Sequence, residues 1–486
     1  MDEVRIELAN PMQIRIETED YTYLAMMKES FTSYVEGFQY MPQYRSGSWS
    51  GKTCMIHQFN NTMPYGLLFD FIRQHKKYRP KKILIISEEV KKLFKGQKFI
   101  PRYNLSLYPR PYQKESIRAC LDHKKGIIRS ATASGKSLVI SYVIKTLLER
   151  DKSGVENAII IVPNISLVRQ FFSDMVEYGI PEDMIGRVGG GKKEWGNQIT
   201  ISTWQTLKNN HERLKEFDAV IVDETHQSKA FQIKKILVKA VRAKYRLGFT
   251  GTLHLSQLDN WNTKSYLGPI LKDYPSGFLA DKGFISKCNV NILNLEYMDE
   301  VEGDYNEVKD IIFNNPFRMG MISDLVQELD HNVLLLVGKV EAEGEVLENY
   351  LKENTTTNVK FLSGRDSADE RELWRKKMAN SRSISLIATY GIFQQGINIP
   401  NLKYIVLASP FKSKIRVLQS VGRALRVHAD KEDGAYIFDL HDHVKFFDKH
   451  GDVRYRFYDA EKFNIDEYLF EERYEYNITD LSLFKR

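Results

Sequence analysis

The sequence predicts an α/β protein in which two parallel-sheet lobes follow a small α+β N-terminal domain. The chain has 486 residues, and about 150 residues per domain gives three domains. From about residue 105 onward, short continuous apolar runs alternate with helical stretches, as in strands buried on both faces of a parallel sheet. These runs form one group before residue 260 and another after residue 330, which indicates two separate lobes.

The elements follow in order along the chain. Residues 1–20 alternate like strands, residues 21–36 predict a helix, and a stretch rich in glycine and aromatic residues comes next. The predicted strands of the two lobes are Gly126–Ile128, Ala158–Val162, Ala219–Val222, Val333–Val337, Ile384–Ala388, Tyr404–Leu407 and Ala435–Phe438. We expect an N-terminal domain over 1–95, a first lobe over 96–275, a linker and the start of the second lobe over 276–325, and the second lobe with a C-terminal tail over 326–486.

Composition and charge exclude several classes of protein. Apolar residues make up 42% and charged residues 27% of the chain, which excludes a disordered or collagen-like protein. The net charge of 70 − 63 = +7 suits a polyanionic partner. The three cysteines have neither metal-ligand spacing nor a disulfide framework, which fits a reducing cytosol. No apolar run reaches 18 residues and no signal-peptide core is present, so we expect a soluble cytoplasmic protein without a membrane span.

The segment Ser130–Ser137 has the context of a phosphate-binding loop. It follows the predicted strand at Ile127 and Ile128 and opens a helix with apolar residues at helical spacing. In such a loop, backbone N–H groups and the helix N-terminus face the phosphates of a nucleotide. We expect Lys136 to neutralise the β- and γ-phosphates and the Ser137 hydroxyl to bind Mg²⁺.

The segment Asp218–His226 is an apolar strand that ends in the adjacent carboxylates Asp223 and Glu224. Because ligands of parallel sheets lie at the carboxyl ends of the strands, these acids should project towards the nucleotide. Asp223 suits the binding of Mg²⁺, and Glu224 suits the polarisation of an attacking water. The alternative is a solvated turn, which the apolar strand in front of the acids disfavours.

The second lobe contains Arg423 and Arg426, which are three residues apart and would share one face of a helix. Two guanidinium groups there could clamp the γ-phosphate from the opposite lobe. By themselves, two arginines at this spacing are more typical of a solvated helix face. Their interpretation as arginine fingers depends on the other motifs.

Taken together, the motifs resemble those of superfamily 2 helicases and occur in the same order. In the first lobe they are Arg110–Gln113, Thr132–Ser137, Val162–Gln170, Ile201–Gln205, Asp223–His226 and Thr250–Thr252. In the second lobe they are Ala388–Gly391, Gly396–Pro400 and Gln419–Arg426. The resemblance covers residues 108–426 and implies two RecA-like lobes that hydrolyse ATP with Mg²⁺.

Over nearly its whole length the chain is also similar to the UvsW-type phage helicases. The residues that carry this similarity are Tyr40–Gly51, Pro64–Leu67, Gly189–Lys192, Thr203–Thr206, Lys412–Ile415 and Glu461–Asn464. The resemblance implies an ATP-dependent DNA helicase of recombination, repair and replication restart, acting in a bacterial cytosol. It would remodel branched DNA by branch migration and fork regression, and unwind or anneal duplexes. It also implies an N-terminal domain that contributes to nucleic-acid binding.

The same resemblance implies roles for individual residues. Gln113 would read the adenine, with Tyr108 and Arg110 nearby. The phosphates and Mg²⁺ would be held by Thr132, Ala133, Ser134, Gly135, Lys136 and Ser137, with Asp223 and Glu224 as the metal and water site. Thr250 and Thr252 would couple hydrolysis to lobe movement, Gly396 and Asn398 would approach the ribose, and Gln419, Arg423 and Arg426 would act on the γ-phosphate.

Candidate DNA contacts lie in both lobes and in the N-terminal domain. They are Arg169, Lys192, Thr203, Trp204 and Thr389 in motifs that line the DNA side of relatives, and Arg73, Lys76 and Lys77 in a basic run. Trp204 is equally consistent with a core residue, and the basic run with a solvated helix end. His441 and His443 flank Asp442, where we expect a strand-end turn rather than a metal site because no second ligand cluster is visible.

Three other functions stay open at this stage. The protein could be an RNA helicase, because the motor motifs do not distinguish ribose from deoxyribose. It could be the translocating subunit of a restriction system, which predicts an attached or partner nuclease. A catalytically silent nucleic-acid-binding module is disfavoured by the presence of Lys136, Asp223 and Glu224. The expected partners are branched, duplex and single-stranded DNA, and recombination or single-strand-binding proteins, with the protein itself a monomer and no membrane involved.

Overall fold

The computed structural model describes residues 3–79, 81–150, 153–225, 230–251, 256–395, 399, 401–409, 428 and 431–472. Contacts divide the chain into two units, one of residues 1–130 with 135–273 and the other of residues 131–134 with 274–486. Among the helices of these described ranges, none has the length and apolar character that a membrane span requires.

The first unit begins with an α+β domain. Its elements are β1 (Glu3–Asn10), β2 (Gln13–Glu17), α1 (Tyr21–Ser30), β3 (Thr32–Tyr34), α2 (Pro42–Arg45), β4 (Lys52–Cys54), β5 (Thr62–Pro64), α3 (Leu68–Tyr78), β6 (Ile83–Ile86) and α4 (Glu88–Phe94). The main sheet has the order β5-β2-β1-β6, in which β1 pairs antiparallel with β2 and parallel with β6. Val4 and Ile6 are buried while Arg5 between them is exposed, so the alternation turns one face of the sheet towards the core.

The first lobe follows in the same unit. Its elements are α5 (Pro111–Asp122), β7 (Lys125–Ser130), α6 (Lys136–Leu148), β8 (Ala158–Val162), α7 (Ile165–Glu177), β9 (Ile185–Gly189), β10 (Lys192–Lys193), β11 (Ile199–Thr203), α8 (Trp204–Lys208), β12 (Ala219–Val222), α9 (Ala230–Lys239), β13 (Tyr245–Thr250), α10 (Gln257–Leu267) and β14 (Ile270–Tyr274). Within the described residues the sheet order is β10-β9-β11-β8-β12-β13-β7-β14, and the strands from β9 to β7 run parallel. Only β13 separates β7 from β12, which brings the loops after these two strands to neighbouring positions on one edge.

The second unit contains the second lobe. Its elements are α11 (Ser276–Asp281), β15 (Cys288–Glu296), α12 (Tyr305–Phe313), α13 (Pro316–Glu328), β16 (Val333–Val337), α14 (Val346–Asn354), β17 (Asn358–Leu362), α15 (Ala368–Ala379), β18 (Ile384–Thr389), α16 (Tyr390–Gln395), β19 (Tyr404–Leu407), β20 (Ala435–Asp442), α17 (Phe447–Ala460) and β21 (Asn464–Glu471). In the described part of this lobe the sheet order is β17-β18-β16-β19-β20-β15-β21, with every adjacent pair parallel. The predicted class is confirmed, because two RecA-like parallel-sheet lobes follow a small α+β domain.

Residues 276–325, expected as a linker and the start of the second lobe, consist largely of regular structure. They carry α11, α12 and most of α13, and β15 lies between β20 and β21 inside the second sheet. The asparagines of β15 interrupt its apolar pattern, so no continuous apolar run marks it as a buried strand.

The N-terminal domain packs directly on α10 of the first lobe. Trp261 stacks on Phe31 with the ring centroids 5.4 Å apart, and Lys264 Nζ donates to both oxygens of Asp70 at 3.1 Å. Leu258 and Trp261 belong to the hydrophobic core of the N-terminal domain. The domain and the first lobe therefore share one packed interior at this helix.

Candidate active site

The loop between β7 and α6 contains two residues in the left-handed region of backbone space. Ala133 has a φ of 66° and Gly135 a φ of 73°. A Cβ on Gly135 would lie 2.6 Å from Gln113 Nε2, so glycine both allows the turn and leaves room for the amide. Helix α6 begins at the next residue, Lys136. Because the first N–H groups of a helix lack intrahelical partners, this loop and helix end can receive a phosphate.

Lys136 reaches from the start of α6 to the acidic strand end. Its Nζ lies 3.3 Å from the backbone oxygen of Ser130 and 3.5 Å from Glu224 Oε1. Both charged side chains are largely buried. The Lys136 ammonium group thus lies between the loop and Glu224. A bound triphosphate could replace part of the interaction with Glu224 as the negative partner of this ammonium.

Asp223 and Glu224 follow the wholly buried strand β12, which lies between β8 and β13. The Asp223 N–H donates to Ile161 O at 2.9 Å, which anchors the strand end against β8. Glu224 has a φ of 48°, a left-handed conformation that is uncommon for a residue with a side chain. Such strain is typical of residues whose position is fixed by their surroundings, often at functional sites.

The Asp223 carboxyl group has an unusual electrostatic environment. Burial raises its pKa to about 7, the neighbouring Glu224 carboxylate acts in the same direction, and Lys136 opposes both. Its buried Oδ1 has no hydrogen-bond partner within the described residues. A buried carboxylate oxygen that lacks a hydrogen-bond partner is a suitable ligand for a divalent cation. The positive charge of the cation would favour the ionised form of Asp223, whereas burial favours the protonated form.

Ser137 lies one residue further along α6. Its Oγ is 3.0 Å from the hydroxyl of Tyr178, and burial raises the pKa of that tyrosine. The hydroxyl of Ser137 and the carboxylate of Asp223 are oxygen ligands of the type that Mg²⁺ binds in nucleotide sites. Tyr178 was not found from the sequence, since a lone tyrosine just beyond α7 belongs to no motif.

The residues expected near the adenine lie at the start of α5. Gln113 is buried, and its Oε1 accepts a hydrogen bond from the Arg110 backbone N–H at 2.8 Å. Its amide nitrogen lies beside Gly135 of the phosphate loop. Tyr108 is 68% exposed, with the Lys114 ammonium 4.2 Å from its ring centroid. The structure thus brings Gln113 and the phosphate loop together and leaves the Tyr108 ring accessible to solvent.

Thr250 ends β13, between the loops that follow β7 and β12. It is buried, and it lies beside Arg129 of β7 in the sheet register. On its other side, β13 pairs with β12, where Gly248 lies beside Val222. Val222 directly precedes Asp223 and Glu224. Thr250 therefore occupies the strand that separates the phosphate loop from the acids.

The candidate DNA-binding residues are distributed over several surfaces. Arg169 on α7 and Lys192 on β10 are exposed, as are Arg73, Lys76 and Lys77 on α3. Thr203 is only 2% exposed and caps α8 by accepting a hydrogen bond from the Thr206 N–H. Trp204 is half-buried against the core of the first lobe, and Thr389 is half-buried at the end of β18.

Several predicted site residues lie outside the described residues. These are Thr252, Gly396, Asn398, Gln419, Arg423 and Arg426. Their assigned roles stay predictions.

Three family models match successive parts of the chain. The model for the N-terminal domain of the DNA helicase UvsW matches residues 3–82, the model for the res subunit of type III restriction enzymes matches residues 106–255, and the helicase conserved C-terminal domain matches residues 318–428. These regions correspond to the α+β domain and the two lobes.

Individual relatives match long stretches of the chain. The ATP-dependent DNA helicase uvsW of Enterobacteria phage T4 is 26% identical over 95% of this chain and 98% of its own length. The DNA 3'-5' translocase XPB2 of Sulfurisphaera tokodaii is 24% identical over 66% of this chain and 79% of its own length.

A solved fragment of an HsdR subunit of a type I restriction enzyme from Vibrio vulnificus shares the fold, with a TM-score of 0.58 and 17% identity over 87% of this chain and 77% of that one. The nucleotide-site geometry, the three consecutive family models and the similarity over nearly the full length to the phage T4 helicase lead to the same assignment. The chain is a superfamily 2 helicase of the UvsW type, and it is an ATP-hydrolysing DNA helicase.

Proposed function

We propose that this helicase remodels branched DNA, by branch migration and fork regression and by unwinding or annealing duplexes. The observation that carries the proposal is the arrangement of Lys136, Asp223 and Glu224 in the first lobe, in a unit that also includes a UvsW-type N-terminal domain. The full-length similarity to the phage T4 helicase supports a role in recombination and repair of DNA in a bacterial cytosol. Recombination or single-strand-binding proteins are the expected partners of the monomer.

In the proposed nucleotide site, the loop before α6 and the Lys136 ammonium bind the phosphates. Ser137 and Asp223 would hold Mg²⁺, which when bound neutralises charge on the β- and γ-phosphates. Thr132, Ala133, Ser134 and Gly135 contribute the loop backbone. Glu224 accepts a hydrogen bond from the attacking water and orients it towards the γ-phosphate. Gln113 binds the adenine edge, beside Arg110 and Tyr108.

The second lobe is proposed to complete this site and to transmit its state. Arg423 and Arg426, with Gln419, would compensate the negative charge of the γ-phosphate in the transition state. Gly396 and Asn398 would approach the ribose, while Thr250 and Thr252 would couple hydrolysis to movement of the lobes. Nucleotide then shifts the two lobes between closed and open states because it binds these states with different affinities.

For the nucleic acid, we propose contacts to the phosphate backbone rather than to base edges. The exposed side chains of Arg169, Lys192, Arg73, Lys76 and Lys77 can each reach a phosphate. Trp204 and Thr389 are proposed to add contacts at the ends of α8 and β18. Because Thr203 is buried as a cap, its contribution would come through the backbone of that turn.

A motor subunit of a restriction system is the second candidate. The first lobe matches the model of a restriction-enzyme subunit, and the HsdR fragment shares the fold. This alternative predicts DNA-stimulated ATP hydrolysis with no strand exchange at junctions. An RNA helicase predicts stronger stimulation of ATP hydrolysis by RNA than by DNA of matched sequence.

The test compares a four-way junction, a replication fork and a plain duplex, with matched RNA as an ATPase activator. We expect ATP-dependent conversion of the junction and the fork at rates well above the unwinding of the duplex. Lys136→Ala should abolish the conversion and serves as the control for contaminating helicases. ATP hydrolysis without conversion of either branched substrate would contradict the proposal and favour the restriction motor.

A further inference from the structure

The carboxyl end of β20 carries two histidines that the nucleotide chemistry does not use. The rings of His441 and His443 stack with their centroids 4.3 Å apart at an interplanar angle of 30°. Asp448 joins them from the first turn of α17. Within the described residues, these three side chains form a group whose candidate ligand atoms all lie within 4.8 Å of one another.

The hydrogen bonds around His443 determine where its hydrogen lies. His443 Nε2 is 3.0 Å from Asn294 Oδ1. The amide nitrogen of Asn294 donates to Glu467 Oε2 at 3.4 Å, which fixes the amide oxygen towards the imidazole. Nε2 therefore carries the hydrogen, and a neutral His443 presents the lone pair of Nδ1 on its other side.

That lone pair faces a second acceptor. His443 Nδ1 lies 3.0 Å from Asp448 Oδ1. A lone pair and a carboxylate oxygen repel each other at this distance unless a cation lies between them. The cation is either a proton, which gives an imidazolium–carboxylate pair, or a metal ion bound by both atoms.

His441 supplies a third ligand atom at a suitable distance. Its side chain is 11% exposed, and its Nε2 lies 3.5 Å from the same Asp448 Oδ1. The Asp448 backbone oxygen is 3.1 Å from this nitrogen and can only accept a hydrogen bond. Binding of an ion through Nε2 therefore requires the tautomer of His441 that carries its hydrogen on Nδ1. Tetrahedral coordination with bonds near 2.1 Å places neighbouring ligand atoms about 3.4 Å apart. The two distances to Asp448 Oδ1, 3.0 and 3.5 Å, lie on either side of that value.

Helix α17 is built to admit the His441 ring. Gly451 lies inside this helix, and a Cβ at that position would be 2.1 Å from ring atoms of His441. Glycine is disfavoured in a helix interior relative to alanine, so its presence here matches the need for close approach of the ring. The imidazole is thereby held against the turn that carries Asp448.

We propose that His441, His443 and Asp448 bind one divalent transition-metal ion of the Zn²⁺ class, with water at the remaining position. Two imidazoles and one carboxylate suit a borderline-soft ion and not Mg²⁺ or Ca²⁺, which prefer oxygen ligands. Asn294 is a positioning residue that fixes the tautomer of His443. The bound ion would cross-link the end of β20 to the first turn of α17.

The proposal is tested by titrating the metal-free full-length protein with Co²⁺, without nucleotide or Mg²⁺, followed by competition with Zn²⁺. We expect one equivalent of Co²⁺ with the strong visible bands of a four-coordinate ion, displaced by Zn²⁺. Nitrogen and oxygen ligation predicts no near-ultraviolet thiolate charge-transfer band, which distinguishes this site from the cysteines. The Asn294→Leu variant should bind at least about 10-fold more weakly.

His443→Ala and Asp448→Asn should each lose the spectrum while keeping the circular dichroism of the wild type. His211→Ala is the control, because His211 lies 3.0 Å from Glu212 and, among the described residues, belongs to no group of three candidate metal ligands. Zn²⁺ should also raise the thermal unfolding midpoint of the wild type and not that of Asp448→Asn. Equal and weak Co²⁺ binding by the wild type and both site variants would overturn the proposal and leave an imidazolium–carboxylate pair only.

Discussion

At the scale of single residues, Lys136 and Glu224 form a charge pair at 3.5 Å that a bound triphosphate would rearrange. The sequence motifs predicted these residues because their chemistry depends on short spacing: one glycine-lysine-serine turn and one pair of adjacent acids. The partner of Ser137 could not be predicted in this way. Tyr178 reaches it from beyond the end of α7, and its position depends on helix packing rather than on local spacing.

The first prediction concerns Glu224. Replacing Glu224 by Gln removes the proton acceptor for the attacking water, and DNA-stimulated ATP hydrolysis should fall by about 10²–10⁴-fold. Nucleotide binding should persist, since Lys136 and the loop are unchanged. Steady-state ATPase assays and nucleotide titration measure the two effects. The control is Glu212→Gln on an exposed turn, and a Glu224→Gln enzyme as active as this control would refute the assignment of the water site.

The second prediction concerns Lys125, a cation buried at the start of β7. Its Nζ lies 4.0 Å above the Tyr65 ring, and burial, followed by the charge of Arg246, lowers its pKa from 10.5 to about 7. The unfolded chain therefore binds more protons than the folded chain between these two values, and stability should rise with pH across that window.

Lys125→Met removes this titration. Its gain in stability over the wild type should be largest at or below pH 7 and should shrink as the pH approaches 10.5. Urea unfolding at pH 6.5 and at pH 9.5 measures the difference. If the free energies of unfolding of the wild type and of Lys125→Met change equally with pH, folding does not lower the pKa of Lys125.

At the scale of elements, a continuous apolar sequence decided which buried strands could be recognised. Strands β8, β12 and β16 are continuous apolar runs and were predicted. Strands β11 and β13 are equally buried, but polar residues interrupt them, so their patterns are not continuous. Arg246 in β13 is buried because its guanidinium donates to the backbone oxygen of Ala240, a compensation that a sequence pattern does not reveal.

The third prediction concerns helix α10, which the first lobe shares with the N-terminal domain. Trp261→Ala removes the ring that stacks on Phe31, and it should lower the free energy of unfolding by about 3–5 kcal/mol. Trp261→Phe keeps an aromatic contact and leaves a smaller cavity, so it serves as the matched variant with an expected loss smaller than that of Trp261→Ala. Urea unfolding measures both, and equal effects of the two variants would argue against a packed aromatic interface.

The same interface changes how the N-terminal domain should be tested. Removing residues 1–95 would expose Leu258 and Trp261, which belong to the core of that domain. A truncated protein would therefore combine a loss of DNA contacts with a damaged first lobe. Surface substitutions separate these two effects.

At the scale of the whole molecule, the order of the three domains followed from the sequence, whereas the docking of the first domain on α10 did not. This docking joins Phe31 to Trp261 and Asp70 to Lys264, residues far apart in the chain that share no periodicity. The grouping of His441 and His443 with Asp448 was missed for the same reason. The acid comes from the first turn of the following helix, and the predicted strand-end turn did not include it.

The fourth prediction concerns the basic run on α3. Substitution of Arg73, Lys76 and Lys77 by Ala should weaken DNA binding and reduce the slope of log K against log salt by about 2–3. Fluorescence anisotropy at several salt concentrations measures the slope on a junction. The control replaces Lys91, Lys92 and Lys95, three exposed lysines of the same domain, by Ala. An equal change in both proteins would indicate a general charge effect and no specific contact by α3.

The position of β15 between β20 and β21 also affects how the chain folds during its synthesis on the ribosome. Cys288 on β15 lies beside Ala435 of β20, and Asn289 lies beside Asn464 of β21, so the strand must wait for both partners to be translated. The described strands of the first sheet are all translated by Tyr274, so this sheet can form early. Nascent β15, whose apolar residues alternate with asparagines over part of its length, stays without its partner strands through most of the synthesis of the second lobe. During that interval the backbone groups on both edges of β15 are open to pairing with a wrong strand.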